Sequence, residues 1–153
     1  MQPLIGVIGA GACPENIYQL AYQTGTELAL NDFGVVCGGL GGVMEAAAKG
    51  CKEAGGLTVG IIPDEHFESA NSYIDIIIPT GMGIMRNLLV VRSALGIIAI
   101  DGKFGTLSEL AYALQLHKPI VGLNTWDVSE DVRQANSPGQ AVQVLISLLN
   151  QTD

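Results

Sequence analysis

Arg86 is a residue of this sequence whose charge and placement suit a bound small anion. Arg86 falls in the first turn of an expected helix, where the helix dipole disfavours a cation. A ligand phosphate or carboxylate would offset that cost, and an exposed solubilising arginine is the plain alternative. Glu109 stands three positions after Thr106, which is the spacing of a capping box, so a helix end could equally account for both residues. Four glycine-bearing segments surround them: Gly9-Ala10-Gly11-Ala12, Gly38 to Gly42, Gly81-Met82-Gly83, and Gly102-Lys103-Phe104-Gly105-Thr106. Each follows an expected strand and opens a helix. Backbone without side chains lets phosphate oxygens reach the amides, and the first helical turn adds its positive end.

Other candidates point less clearly to chemistry. Glu45 can pair with Lys49 four residues on or meet a ligand ring nitrogen. His66 and His117 lack metal-ligand spacing, and Cys13, Cys37 and Cys51 form no CxxC, so no metal site is expected. Cys37 has no adjacent histidine to activate it and reads as a small buried hydrophobe. The dinucleotide signature GxGxxG fails after the first strand, where Pro14 takes the place of the third glycine, and GxxxxGK[ST] is absent.

The elements that must position these residues alternate along the chain. Strands are expected at Leu4–Ile8, Val35–Cys37, Thr58–Ile62, Ile74–Ile78, Gly96–Ile100 and Pro119–Leu123. Helices are expected at Glu15–Asn31, about Val43–Ala54, about Ile84–Ala94, Thr106–Leu116 and from Pro138 onward. Ser137, Pro138 and Gln140 give the last helix a capping box with proline at its first position. Ile74, Ile76, Ile77 and Ile78 suit a strand covered on both faces. The polar segments Asp64–Ser72 and Thr125–Asn136 read as loops. Strand–helix–strand repetition requires crossovers. It points to a Rossmann-like, doubly wound α/β domain over residues 1–153, with a mostly parallel sheet and helices on both faces.

Composition narrows the ligand. Twenty glycines in 153 residues are about twice the usual share and cluster at turns. A net charge of -8 with no basic patch argues against nucleic acid and anionic membranes, while a small anion can still be held locally. The longest mainly apolar stretch, Leu88–Ile100, is interrupted by Arg92 and too short to span a bilayer. Unpaired thiols and the lack of a signal-like N-terminus fit a cytoplasmic protein.

Three segments resemble a known superfamily. Cys37-Gly38-Gly39-Leu40-Gly41-Gly42-Val43-Met44-Glu45-Ala46 is similar to its GGG-x-x-G-x-M segment. Met85-Arg86-Asn87 is similar to its arginine segment, and Asp101-Gly102-Lys103-Phe104-Gly105-Thr106-Leu107-Ser108-Glu109 resembles PGGxGTxxE. These mark the lysine-decarboxylase-like proteins, which include the "lonely guy" cytokinin riboside monophosphate phosphoribohydrolases and the molybdenum cofactor carrier proteins. The resemblance implies that Gly105 and Thr106 hold a ligand phosphate, assisted by Gly41 and Gly42. Gly9, Gly11, Gly39 and Gly102 complete the expected loops, with Glu45, Arg86 and Lys103 as further binding residues. Met44 and Met85 would floor the site.

Asp101 and Lys103 replace the proline and second glycine of the signature, and Asn87 stands where the hydrolases have lysine. These departures favour the carrier branch, whose implied ligand is the molybdenum cofactor (molybdopterin) and whose implied partner is a molybdoenzyme or a cofactor-synthesis protein. The alternatives are a phosphoribohydrolase, with Arg86 and Glu109 acting on the N-glycosidic bond of a nucleoside 5'-monophosphate, and a non-catalytic nucleotide sensor. Finally, Leu88-Leu89-Val90-Val91 puts apolar side chains around a whole helix. That predicts a homodimer or homotetramer with this helix at the interface.

Overall fold

Short runs of β-branched residues, each bounded by glycine or a polar turn, form the strands of the computed structural model, which describes residues 1–151. The last two positions of the expected 1–153 domain lie outside the described residues. The order is β1 (Leu4–Gly9), α1 (Glu15–Leu30), β2 (Gly34–Cys37), α2 (Val43–Glu53), β3 (Thr58–Ile62) and β4 (Ile76–Pro79). It continues with α3 (Asn87–Ser93), β5 (Ile97–Ile100), α4 (Phe104–Gln115), β6 (Ile120–Leu123), β7 (Val132–Gln134) and α5 (Pro138–Leu149). Short 3₁₀ turns occupy Phe67–Ser69 and Gly83–Arg86.

The strands form one sheet in the order β4-β3-β2-β1-β5-β6-β7, and every pairing is parallel. In register, Gly6 faces Val36 on one side and Ile97 on the other. Alternate residues of each strand enter opposite cores, as the two-residue period of a strand requires. Ile5, Val7, Val35, Cys37, Ile98 and Ile100 pack toward α1, α2 and α5. Ile8, Val36, Ile97 and Ala99 pack toward α3 and α4, where they meet Val90, Val91, Leu110 and Ala113. The doubly wound architecture expected from the sequence is therefore present, with a wholly parallel sheet. Chain order reverses between β1 and β5, and that reversal opens a crevice at the carboxyl ends of the two strands.

Four local expectations need correction. β4 is not covered on both faces: it is an edge strand, with Ile76 and Ile78 48% and 43% exposed, and the chain leaves it through the 3₁₀ turn that precedes α3. The segment Thr125–Asn136 is not all loop, since Val132–Gln134 adds β7 beside β6. The helix expected from Ile84 starts only at Asn87. Within it Val90 and Val91 are fully buried and Leu88 and Leu89 half-buried, so the apolar block turns mostly inward. Finally, α4 begins at Phe104, which makes Thr106 its third residue and not its cap. At α5 the expected cap is present: Ser137 Oγ accepts the Gln140 N–H at 3.2 Å, with Pro138 at the first position.

Candidate functional site

The loop after β1 and the start of α4 after β5 flank the β1/β5 crevice, which holds a cavity of about 350 Å³. Gly9 to Ala12 form one wall. Leu40 and Met44 come from the β2–α2 segment, and Ile84, Arg86 and Asn87 from the turn before α3. Lys103, Gly105, Thr106 and Glu109 close the cavity from α4.

Two glycines let these walls approach. Gly42 has φ +60°, and a Cβ there would run into the Ala10 carbonyl oxygen and approach the Ala12 nitrogen to 2.8 Å. Gly102 has φ +103°, and a Cβ there would fall on the Thr106 side chain. Side chains are thus excluded where the first two loops meet and where β5 turns into α4.

No side chain caps α4, in contrast to α5. Its first backbone bond inside the helix runs from the Leu107 N–H to the Lys103 carbonyl at 3.0 Å, which leaves the preceding first-turn amides without helical acceptors. Gly105 and Thr106, which carry such amides, line the cavity. α2 also starts without a side-chain cap, at Gly42, and its Met44 lies on the cavity wall.

Arg86 is 7% exposed, and three of its N–H groups have partners. Nε donates to the Ile61 carbonyl at 3.0 Å, Nη2 to the Gly38 carbonyl at 3.4 Å, and Nη1 to Asn87 Oδ1. A guanidinium has five N–H donors, so two remain for a ligand. The solubilising role weighed from the sequence does not fit this burial. Burial lowers the arginine pKa, and the charge of Glu109 works against that shift.

Glu109 is 7% exposed and makes no side-chain hydrogen bond or ion pair, yet no fully enclosed side-chain polar atom lacks a partner among the described residues. Its carboxyl oxygens therefore reach the cavity. Burial pushes this carboxyl up to about 8, against the pull of Arg86. Thr106 is 3% exposed and forms no capping box with Glu109.

Of the residues singled out from the sequence, Gly9, Gly11, Arg86, Lys103, Gly105, Thr106 and Glu109 meet at this cavity. Gly39, Gly41, Gly42 and Gly102 lie in the loops behind it and do not line it. Glu45 is turned away, where its Oε1 accepts the Tyr18 hydroxyl at 3.1 Å, and Lys49 lies over the rings of Tyr22 and Tyr73 instead of pairing with it. Met85 is 69% exposed, and Ile84 takes its expected place in the wall. Leu40, Ile84 and Asn87 line the cavity outside the set expected from the sequence, and Asn87 is the polar one among them. It is 5% exposed and lines the cavity, and its place in the Met85-Arg86-Asn87 segment was the available signal.

Cys37 is a fully buried core thiol, raised to about 12 mainly by that burial. No cluster of metal-binding side chains occurs among the described residues. No helix among them is long and apolar enough to cross a membrane. A second cleft of about 290 Å³, lined in part by His117, Lys118 and Arg133, lies near the C-terminal ends of α4 and α5. There Lys118 Nζ donates to the Ala94 carbonyl at 2.6 Å, so its charge already has a partner within the chain.

Residues 2–149 match the SLOG cluster4 family. The chain is 44% identical over 143 residues to an uncharacterized protein of Archaeoglobus fulgidus, with 94% of each chain covered. The molybdenum cofactor binding protein of Rippkaea orientalis superposes with a TM-score of 0.91 and 35% identity, over 97% of this chain and 98% of that one. The molybdenum cofactor carrier protein of Chlamydomonas reinhardtii superposes with a TM-score of 0.88 and 33% identity, over 97% and 99% of the two chains. The kinship inferred from three sequence segments is thus found along nearly the whole chain.

Proposed function

Because the chain belongs to the SLOG cluster4 family, we propose that it binds a phosphorylated heterocycle and carries it unchanged, with the molybdenum cofactor as cargo. The observation that carries this reading is the uncapped first turn of α4 opening into the same cavity as the unpartnered carboxyl of Glu109. Gly105 and Thr106 would offer amides to the phosphate, with Arg86 and Lys103 supplying positive charge in a chain of net charge -8. Leu40, Met44 and Ile84 give a flat ring apolar walls, and Glu109 gives its edge a hydrogen-bonding group. Likeness to two proteins named for binding or carrying this cofactor supports the choice of cargo.

Carriage fits the chemistry of Glu109 better than hydrolysis does. Cleaving an N-glycosidic bond builds positive charge on the sugar, which an ionised carboxylate would stabilise. Burial pushes the Glu109 carboxyl up to about 8, which favours the neutral form over the ionised one. In this reading the protein is a cytoplasmic homodimer or homotetramer that hands its cargo to a molybdoenzyme or a cofactor-synthesis partner.

Native mass spectrometry of the purified protein tests the cargo, with a co-purified molybdopterin species as the expected result. Incubation with AMP tests the alternative: adenine released by the wild type and not by Glu109→Gln would replace the carrier with a phosphoribohydrolase.

A further inference from the structure

The hydrogen bonds around Asn87 all run in one direction. Arg86 Nη1 donates to Asn87 Oδ1, Asn87 Nδ2 donates to Ser108 Oγ at 3.2 Å, and Ser108 Oγ donates to the Gly105 carbonyl at 2.6 Å. One end is fixed to the strands through the Arg86 contacts with Ile61 and Gly38. The other end is the uncapped first turn of α4. Donor and acceptor alternate in the same sense throughout, so each bond polarises the next.

An amide suits the middle position because it accepts at one atom and donates at another. An ionised aspartate only accepts, and alanine does neither. Asparagine is also a favoured helix cap, yet Asn87 does not cap α3, whose cap position is Arg86. Its side chain joins two other elements instead.

We propose that Asn87 is a positioning residue that sets the first-turn amides of α4 against the guanidinium of Arg86, at the spacing a phosphomonoester needs. This rests on the cavity being a phosphate site. Asn87 and Ser108 act as one unit here, and cutting either bond releases the same turn.

Titration calorimetry with AMP and with adenosine, on wild type, Asn87→Ala, Ser108→Ala and the double variant, provides the test. Near-UV circular dichroism checks each fold. Each single variant should bind AMP about 3- to 10-fold more weakly, as expected for one lost hydrogen bond. The double variant should be no weaker than the worse single one, and adenosine binding should not change. Amide exchange at Gly105 and Thr106 should quicken in Asn87→Ala.

Additive losses in the double variant would overturn the relay. So would equal losses for AMP and adenosine, or unchanged AMP affinity. A wild type with no preference for AMP over adenosine would refute the phosphate reading itself. Amide exchange then decides the relay alone: faster exchange at Gly105 and Thr106 in Asn87→Ala supports it, and unchanged exchange overturns it.

Discussion

Arg86 and Glu109 face one cavity without forming an ion pair. The salt bridge found among the described residues joins Lys52 and Asp75, at 2.7 Å. The Ile61 and Gly38 carbonyls and Asn87 hold the guanidinium, which cannot swing toward Glu109 without losing them. Glu109 is left as a buried acid whose charge nothing in the protein fully compensates.

This arrangement gives a pH signature with a definite sign. Glu109 keeps its proton to about 8 when folded, against an ordinary value of 4.5. Folded protein therefore holds a proton that the unfolded chain releases, and stability falls as pH rises through that window. Glu109→Gln removes the ionisable group. Its Tm should exceed that of the wild type at about pH 9 and approach it at about pH 4.5. A Tm difference of the same size at both values would show that the carboxyl titrates in the fold as it does in the unfolded chain.

Arg86→Ala should lower the Tm clearly. From the sequence, loss of a cation at a helix start would leave stability equal or slightly raised. The structure reverses that expectation, because the side chain is buried and donates to carbonyls at the ends of two strands. Removing it leaves those acceptors unpaired, at a cost on the order of 2–4 kcal/mol. Arg86→Lys should recover little, since one ammonium cannot span three acceptors in the same plane. A Tm equal to wild type in Arg86→Ala would show that these hydrogen bonds do not form.

The fold was legible where pattern and burial agree. Apolar runs such as Ile97–Ile100 fill both cores, and glycines at the ends of β1, β2 and β5 mark the functional edge. What escaped depends on context that no local pattern carries. β7 has a single buried residue, Val132, and exists because β6 offers it an edge. β4 has the isoleucines of an interior strand but lies at the sheet edge, beside β3. Thr106 and Glu109 carry the spacing of a cap, yet the helix starts two residues earlier, at Phe104. That shift turns both side chains from a helix end into a cavity wall. The role of Asn87 depends on Ser108, 21 residues away, and only the fold brings the two together.

Thr106→Val tests the phosphate cradle without a capping effect. Thr106 is the third residue of α4, so the stability loss expected of a missing cap does not apply. Valine keeps the shape and removes the hydroxyl, which has no hydrogen-bond partner among the described residues and reaches the cavity. Affinity for AMP should fall by about 0.5–1.5 kcal/mol, with up to ~3 kcal/mol if the hydroxyl meets a charged oxygen. Adenosine affinity should stay constant. Calorimetry that finds both ligands weakened alike would remove Thr106 from the phosphate position.

The oligomer should form through the turn before α3, and not through the helix itself. Val90 and Val91 are fully buried within the chain, so the apolar block leaves little for a second subunit. The 3₁₀ turn Gly83–Arg86 instead turns Ile84 and Met85 outward, 82% and 69% exposed. Adjacent large apolar side chains are costly to leave in water, and a symmetric contact would cover both copies at once. Sedimentation equilibrium at micromolar concentration should give a mass above that of the monomer. Ile84→Asp and Met85→Asp should each shift it to monomer with little change in Tm. Val90→Asp should lower the Tm strongly, because it buries an unpaired charge. A monomeric wild type, or aspartates at 84 and 85 that leave the mass unchanged, would remove this face from any subunit contact.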